Sequence, residues 1–240
     1  MRSGGRFRAC AAFAVAAALA LAGCDSTFGQ HSPATKQAGS MSDLWRGSVM
    51  AALLVGAIVL SLIIFTVLRY RRRGRGDEPS QRQYIVPLEI VYTVIPIVIV
   101  LVLFGFSWVV QDKVDALSDN PDVTIDVQGF QWQWQFHYRD EDVTVTGVPD
   151  RRPVMVLPVG ETVRLVLTSR DVIHSFYVPS FLFKRDVIPT IKNQFDLQVE
   201  KAGTYRGYCA EFCGLNHARM TFTVRAVSKA EYADWVAGQS

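Results

Sequence analysis

Two apolar runs constrain this chain more than any other feature. Residues 49–68 are unbroken by charge, with only Ser61 and Thr66 as mild polar interruptions. Residues 85–110 repeat the pattern with a single charge, Glu89. At a 1.5 Å rise, ~20 helical residues cross a bilayer core, so each run is long enough to span. Between them lies "RYRRRGRGDEPSQR", in which Arg69, Arg71, Arg72, Arg73 and Arg75 follow the first run directly. Short loops rich in arginine stay in the cytoplasm. Residues 44–110 therefore predict a two-helix transmembrane hairpin whose flanks are both outside.

The N-terminus reaches the same orientation independently. "MRSGGRFRACAAFAVAAALALAGC" has a positive start at Arg2, Arg6 and Arg8, then an apolar stretch over residues 11–22. This is a secretory signal, residues 1–23, and no part of the fold. Its end, "LAGC", resembles the lipobox of bacterial lipoproteins, which implies that Cys24 is lipidated and becomes the first mature residue. The alternative is an ordinary signal cleaved nearby. The polar, small-residue stretch over residues 24–43 predicts a flexible external tether. Of the four cysteines, Cys10 leaves with the signal and Cys24 is occupied by lipid, so the free thiols are Cys209 and Cys213.

A carboxylate within a span is costly and often moves protons. Glu89 is read either that way or as a side chain reaching the cytoplasmic headgroups. Pro87 and Pro96 should locally interrupt backbone bonding in the same span. That points to a helical partner outside the chain.

From Val123 the pattern turns β-like. "VTIDVQG", "FQWQWQFHY", "VMVLPVG", "ETVRLVLTS", "NQFDLQVE", "GTYRGYC" and "MTFTVRAV" are rich in Val, Thr, Phe and Tyr. About seven short strands over roughly a hundred residues predict an antiparallel sandwich or barrel. Read as one strand, "FQWQWQFHY" places Phe130, Trp132, Trp134 and Phe136 on a single, core-facing side. In the tail, Ser228 and Glu231 form a capping-box pattern that starts a short helix. The net charge is only +3, so no basic face for nucleic acid is implied.

The chemistry concentrates in "YCAEFCGLNHARM", with the spacing C-x3-C-x3-H-x2-M from Cys209 to Met220. A disulfide is the usual state of exported cysteine pairs, but it leaves His217 and Met220 unexplained. Thiolate, imidazole and thioether together select copper. His174, at the exit of the strand over residues 161–169, is the candidate ligand from elsewhere. A mononuclear site of His174, Cys213, His217 and Met220 leaves Cys209 surplus. Two thiolates bridging two coppers use every donor. No nucleophile–base pair or phosphate loop suggests a catalytic centre in the chain itself.

Over residues 44–226 the chain resembles subunit II of haem–copper cytochrome c oxidases. "CAEFCGLNHARM" is similar to the family's dinuclear copper A loop, "HSFYVPSF" to the stretch with its upstream histidine, and "GFQWQWQF" to its Gly-x-Gln-Trp-x-Trp strand. The resemblance implies a cupredoxin-like Greek-key sandwich over residues 111–226, followed by a C-terminal helix and tail over 227–240. It implies that Cys209 and Cys213 bridge the coppers, that His174 and Met220 complete one, and that His217 and the Glu211 carbonyl complete the other. The Glu211 carboxylate would face a magnesium site shared with the catalytic subunit. Trp132 would accept electrons from cytochrome c, and Glu89, in "LEIVYTVIP", would stand at the entrance of a proton path.

The implied role is that of the subunit through which electrons enter an aa3-type oxidase. Its partners would be haem-containing subunit I, subunit III, soluble or membrane-bound cytochrome c, and the bilayer. The complex would reduce dioxygen to water and pump protons. The alternatives are a membrane-anchored copper carrier with a mononuclear site, and a metal-free structural subunit with a Cys209–Cys213 disulfide. No C-x-x-C-H motif for covalent haem is present, and the middle residue of the aromatic strand is Gln133 where many members have an aromatic.

Overall fold

The computed structural model describes residues 27–71, 81–148 and 151–239. It divides into a helical unit, residues 43–116, and a unit made of the remaining chain. The expected signal peptide, Cys24, and Arg72, Arg73 and Arg75 lie outside the described residues.

Two long helices carry the apolar runs: α1, Lys36–Arg69, and α2, Val86–Asp115. At 34 residues, α1 is longer than a bilayer core requires. Leu53, Leu54, Ile58, Leu62 and Ile63 on α1 are exposed, as are Ile95, Leu101 and Phe104 on α2. Each such side chain left in water forfeits about 1.5–3 kcal/mol, so the hairpin needs lipid or apolar partners around it. The hydroxyl of Thr66 donates to the Leu62 carbonyl, 2.8 Å away, which hides its polarity inside α1. Pro87 does not interrupt α2: it sits in the first turn, where its missing N–H has no helical partner to lose. Pro96 is inside the helix.

Among the described residues the outer unit has ten strands in two five-stranded sheets. The first sheet has the order β3-β2-β1-β5-β8, from β1 (Val123–Phe130), β2 (Gln133–Tyr138), β3 (Val143–Thr146), β5 (Thr162–Ser169) and β8 (Asn193–Gln198). The second has β4-β10-β9-β6-β7, from β4 (Val154–Pro158), β6 (His174–Val178), β7 (Phe183–Val187), β9 (Gly203–Cys209) and β10 (Thr221–Val227). Three short strands, β3, β6 and β7, are additional to those read from the sequence pattern. β1 pairs in parallel with β5, and β10 with β4, while the other ladders are antiparallel.

The stretch expected as one strand is a hairpin. Phe130 pairs with Gln133, and Gln131 and Trp132 form the turn. The turn resets the alternation. Val123, Ile125 and Val127 point inward from β1, and Trp134, Phe136 and Tyr138 from β2. Phe130 stays on the outer side beneath the Arg170 guanidinium, and Trp132 is half-buried at the hairpin tip. The inward rings join Phe176 and Phe222, which stack at 4.8 Å, to make an aromatic core between the sheets. The Tyr138 hydroxyl accepts from the Val156 N–H (2.7 Å) and donates to its carbonyl (3.0 Å), pinning β2 to β4 across the sandwich.

The expected tether is not free where it is described. Thr35 bridges Val199 beyond the end of β8, the Ala34 N–H donates to the Ser180 carbonyl, and the Glu200 N–H to the Ala34 carbonyl. The Thr35 hydroxyl oxygen accepts from the Ala38 N–H at 3.0 Å, capping the first turn of α1. Composition alone reads this stretch as linker, whereas an open sheet edge and a threonine cap give it structure. The C-terminal helix α3, Lys229–Ala237, begins with the expected Ser228–Glu231 capping box, and its Tyr232 and Trp235 pack on Tyr138.

Candidate metal centre

Neighbouring strands bring the donors together. β6 pairs with β9 so that Phe176 faces Cys209, which places His174 and Cys209 at one end of the second sheet. The loop after β9 returns at once into β10, and the Cys209 N–H donates to the Met220 carbonyl at 2.9 Å. Within it, the His217 N–H bonds the Gly214 carbonyl, and the Met220 N–H that of His217. Gly214 has φ +114°, a conformation costly for any side chain, and so turns the loop back on itself. The Ala210 N–H fastens the loop to the Ser175 carbonyl.

The result is a compact sulfur and nitrogen cluster. The two thiol sulfurs lie 3.8 Å apart and are not bonded to each other. The metal-binding atoms of His174, Cys209 and Cys213 lie within 4.8 Å of one another, and all three residues are buried. Cys209 Sγ has His174 Nδ1 at 3.8 Å and the Glu211 carbonyl at 3.2 Å. Cys213 Sγ has His217 Nδ1 at 3.6 Å and Met220 Sδ at 3.8 Å. Each thiol thus has one imidazole and one weaker donor beside it. This set fits soft metal ions, and the free thiols do not match the disulfide alternative. The Glu211 side chain is exposed.

The electrostatics favour one thiolate. Burial pushes the Cys209 thiol up, but hydrogen bonds from His174, from the backbone and from His217 outweigh it and bring it down to about 7. Burial and the charge on Cys209 push Cys213 up, to about 12. The pair therefore releases its first proton near neutrality and holds the second. His174 is buried, which disfavours its cation, but Cys209 and Asp171 together raise its pKa.

Three residues to which sequence reasoning gave no role, Asp171, Gly129 and Gln131, stand beside the cluster together with Trp132. Asp171 Oδ1 lies 2.9 Å from His174 Nε2. A Cβ on Gly129 would come within 3.1 Å of the His174 ring, so glycine makes room for it. Trp132 Nε1 and Gln131 Nε2 both donate to the Cys213 carbonyl, at 3.0 and 2.9 Å. An aspartate three residues before the candidate ligand His174 was the one available signal. Glu89 belongs to the helical unit, where it is half-buried in the first turn of α2 and accepts from the Ile85 N–H at 3.1 Å.

Comparison with known proteins decides the family. The family model for the periplasmic domain of cytochrome c oxidase subunit II matches residues 148–227. The probable cytochrome c oxidase subunit 2 of Streptomyces avermitilis is 39% identical, covering 85% of this chain and 76% of the relative. The chain belongs to the cytochrome c oxidase subunit II family. The subunit 2 of Corynebacterium glutamicum is 33% identical, over 91% of this chain and 80% of that one. The solved periplasmic domain of subunit II from Bradyrhizobium japonicum is 34% identical, covering 51% of this chain and 96% of that structure, with a TM-score of 0.47. As a family member the chain is a subunit of an oxidoreductase, the one through which electrons enter, with a copper A-type outer domain. It is a membrane protein: α1 and α2 are both long and apolar enough to span, and its C-terminal domain is outside.

Proposed function

We propose that this subunit II holds a dinuclear copper A centre and passes electrons from cytochrome c toward a haem-containing subunit I. The observation that carries the reading is the pairing at the cluster: two unbonded thiols, each beside one imidazole and one weak donor. A mononuclear site would leave one such set unused. Cys209, Cys213, His174, His217, Met220 and the Glu211 carbonyl would together hold the metals. When bound, a copper pair would supply a one-electron carrier at this site.

The chain's own residues prepare that chemistry. Burial of Met220 and Cys213, at 1% and 3% exposure, keeps water from the sulfurs. Low solvent access limits the reorganisation that slows electron transfer. The half-buried Trp132 is the proposed electron acceptor, and its indole N–H reaches the backbone of Cys213 directly. The exposed Phe212 and Leu215 project from the same loop and offer an apolar surface for a docked partner.

The remaining roles complete the reading. Glu89 stands at the entrance of a proton path, with the hairpin packed on subunit I. The Glu211 carboxylate meets magnesium at the boundary with that subunit, and subunit III completes the assembly. The complex reduces dioxygen to water and pumps protons. Cys24 is lipidated at the outer face, which places the mature N-terminus outside.

The test is rapid mixing of reduced cytochrome c with the purified oxidase complex. The account expects Trp132→Ala to slow electron uptake by about 10²-fold or more while the copper content stays at the wild-type level. Wild-type uptake by the Trp132 variant would reject that route. Wild-type uptake by a Cys209→Ser complex that has lost its copper would reject the copper reading itself.

A further inference from the structure

The carboxylate of Asp171 has no part in the proposed electron path, yet besides the Ser169 hydroxyl at 3.5 Å three closer groups converge on it. Its Oδ1 lies 2.9 Å from His174 Nε2 and accepts from the Val172 N–H at 2.6 Å. Its Oδ2 accepts from the backbone N–H of Gln131 at 2.7 Å. Gln131 and Trp132 in turn donate to the Cys213 carbonyl. The bonds close a circuit through three segments: the turn after β5 that leads to His174, the β1–β2 turn with Trp132, and the β9–β10 loop with Cys213.

The circuit has a chemical consequence. A carboxylate only accepts hydrogen bonds. Nε2 of a neutral His174 must then carry the proton, which leaves the Nδ1 lone pair directed toward the Cys209 sulfur. An acceptor on the far nitrogen of a ligand histidine fixes its ring and increases its donor strength.

We propose that Asp171 is a positioning residue for the metal centre, holding His174 with Nδ1 free to bind metal and fixing the Trp132 turn against the ligand loop. This rests on the copper reading above. Its rival is a surface role. The Asp171 side chain is 31% exposed, and a carboxylate that only attracted a cationic partner would alter docking alone.

The test compares Asp171→Asn and Asp171→Ala with the unaltered full-length chain in the purified, copper-loaded oxidase complex. The asparagine is nearly isosteric and keeps one acceptor, so it preserves the fold. It cannot accept from both His174 and Gln131 in the native arrangement. Copper affinity should fall on the order of 10- to 100-fold in the alanine variant, with asparagine between. The reduction potential of the copper centre should rise in both, because a weaker imidazole donor favours the reduced metal. The EPR hyperfine splitting should change with it. Unaltered affinity, potential and hyperfine splitting in both variants would overturn the proposal, whether or not KM for cytochrome c rises. An unaltered chain that shows no copper-pair signal would overturn the copper reading, and the role of Asp171 with it.

Discussion

Cys209 and Cys213 have the same side chain and nearly the same burial, yet different acidities. Cys209 is held at about 7 against an ordinary value of about 9, because the hydrogen bonds to its thiolate outweigh its burial. Cys213 is pushed up to about 12 by burial and by the neighbouring thiolate. The two act oppositely on stability. The depressed Cys209 adds stability as pH rises from about 7 to about 9, and this is lost as pH falls through 7. The raised Cys213 favours the folded chain below about 9, and this is lost as pH rises toward 12. In the copper-free, reduced chain, thiolate absorbance should therefore show one ionisation near pH 7, which His174→Ala moves upward. Two thiols titrating together near pH 9 in the unaltered chain would contradict this assignment. The Glu211 carbonyl entered only through the family resemblance, but the candidate donors His174, Cys209, Cys213, His217 and Met220 were legible from spacing and residue type, because soft ligands rarely cluster by chance. Asp171 and Gly129 were not, since one acts only through its hydrogen bonds to His174 and Gln131 and the other through the space it leaves for that ring.

At the scale of elements, hydrophobic pattern located the helices and most strands, and turn geometry defeated it. "FQWQWQFHY" has perfect alternation, but the chain reverses at Gln131 and Trp132. That reversal separates Trp132, at the rim, from Trp134, wholly buried in the core, and period-two reasoning could not do so. The stretch before α1 shows the same limit: a β-bridge to Val199 and a threonine cap are tertiary facts. A third such fact joins the segment before β1 to the sheet. Asp196, 3% exposed at its side chain, takes a two-pronged bond from Arg164 at 2.8 and 2.9 Å and another from the Ser118 N–H at 2.6 Å. Removing one partner of a buried pair costs about 3–5 kcal/mol. Since Arg164 is partly exposed and keeps its bond to the Ser118 carbonyl, the lower figure applies. Asp196→Ala should destabilise the outer unit by about 3 kcal/mol, read from tryptophan fluorescence during denaturant unfolding of the solubilised chain. A double Arg164→Ala, Asp196→Ala variant should lose less than the sum of the two singles. An unchanged midpoint for Asp196→Ala would show the pair to be energetically idle.

Across the whole molecule, two different solvents select the two units. The helical unit exposes aliphatic side chains that only lipid or apolar partners can cover, and the sandwich buries its aromatics and displays charge. Both parts were visible in the sequence because they use opposite rules of hydrophobic patterning, a continuous run in one and alternation in the other. The central claim concerns the six donors at one end of that sandwich. The measurement that tests it most directly is copper content together with EPR on the purified full-length chain. The account predicts about two coppers per chain and a seven-line hyperfine pattern, as an electron shared equally by two spin-3/2 nuclei requires. One copper with a four-line pattern would contradict it and put a mononuclear carrier in its place, and no copper with the two thiols joined as a disulfide would leave only a structural subunit.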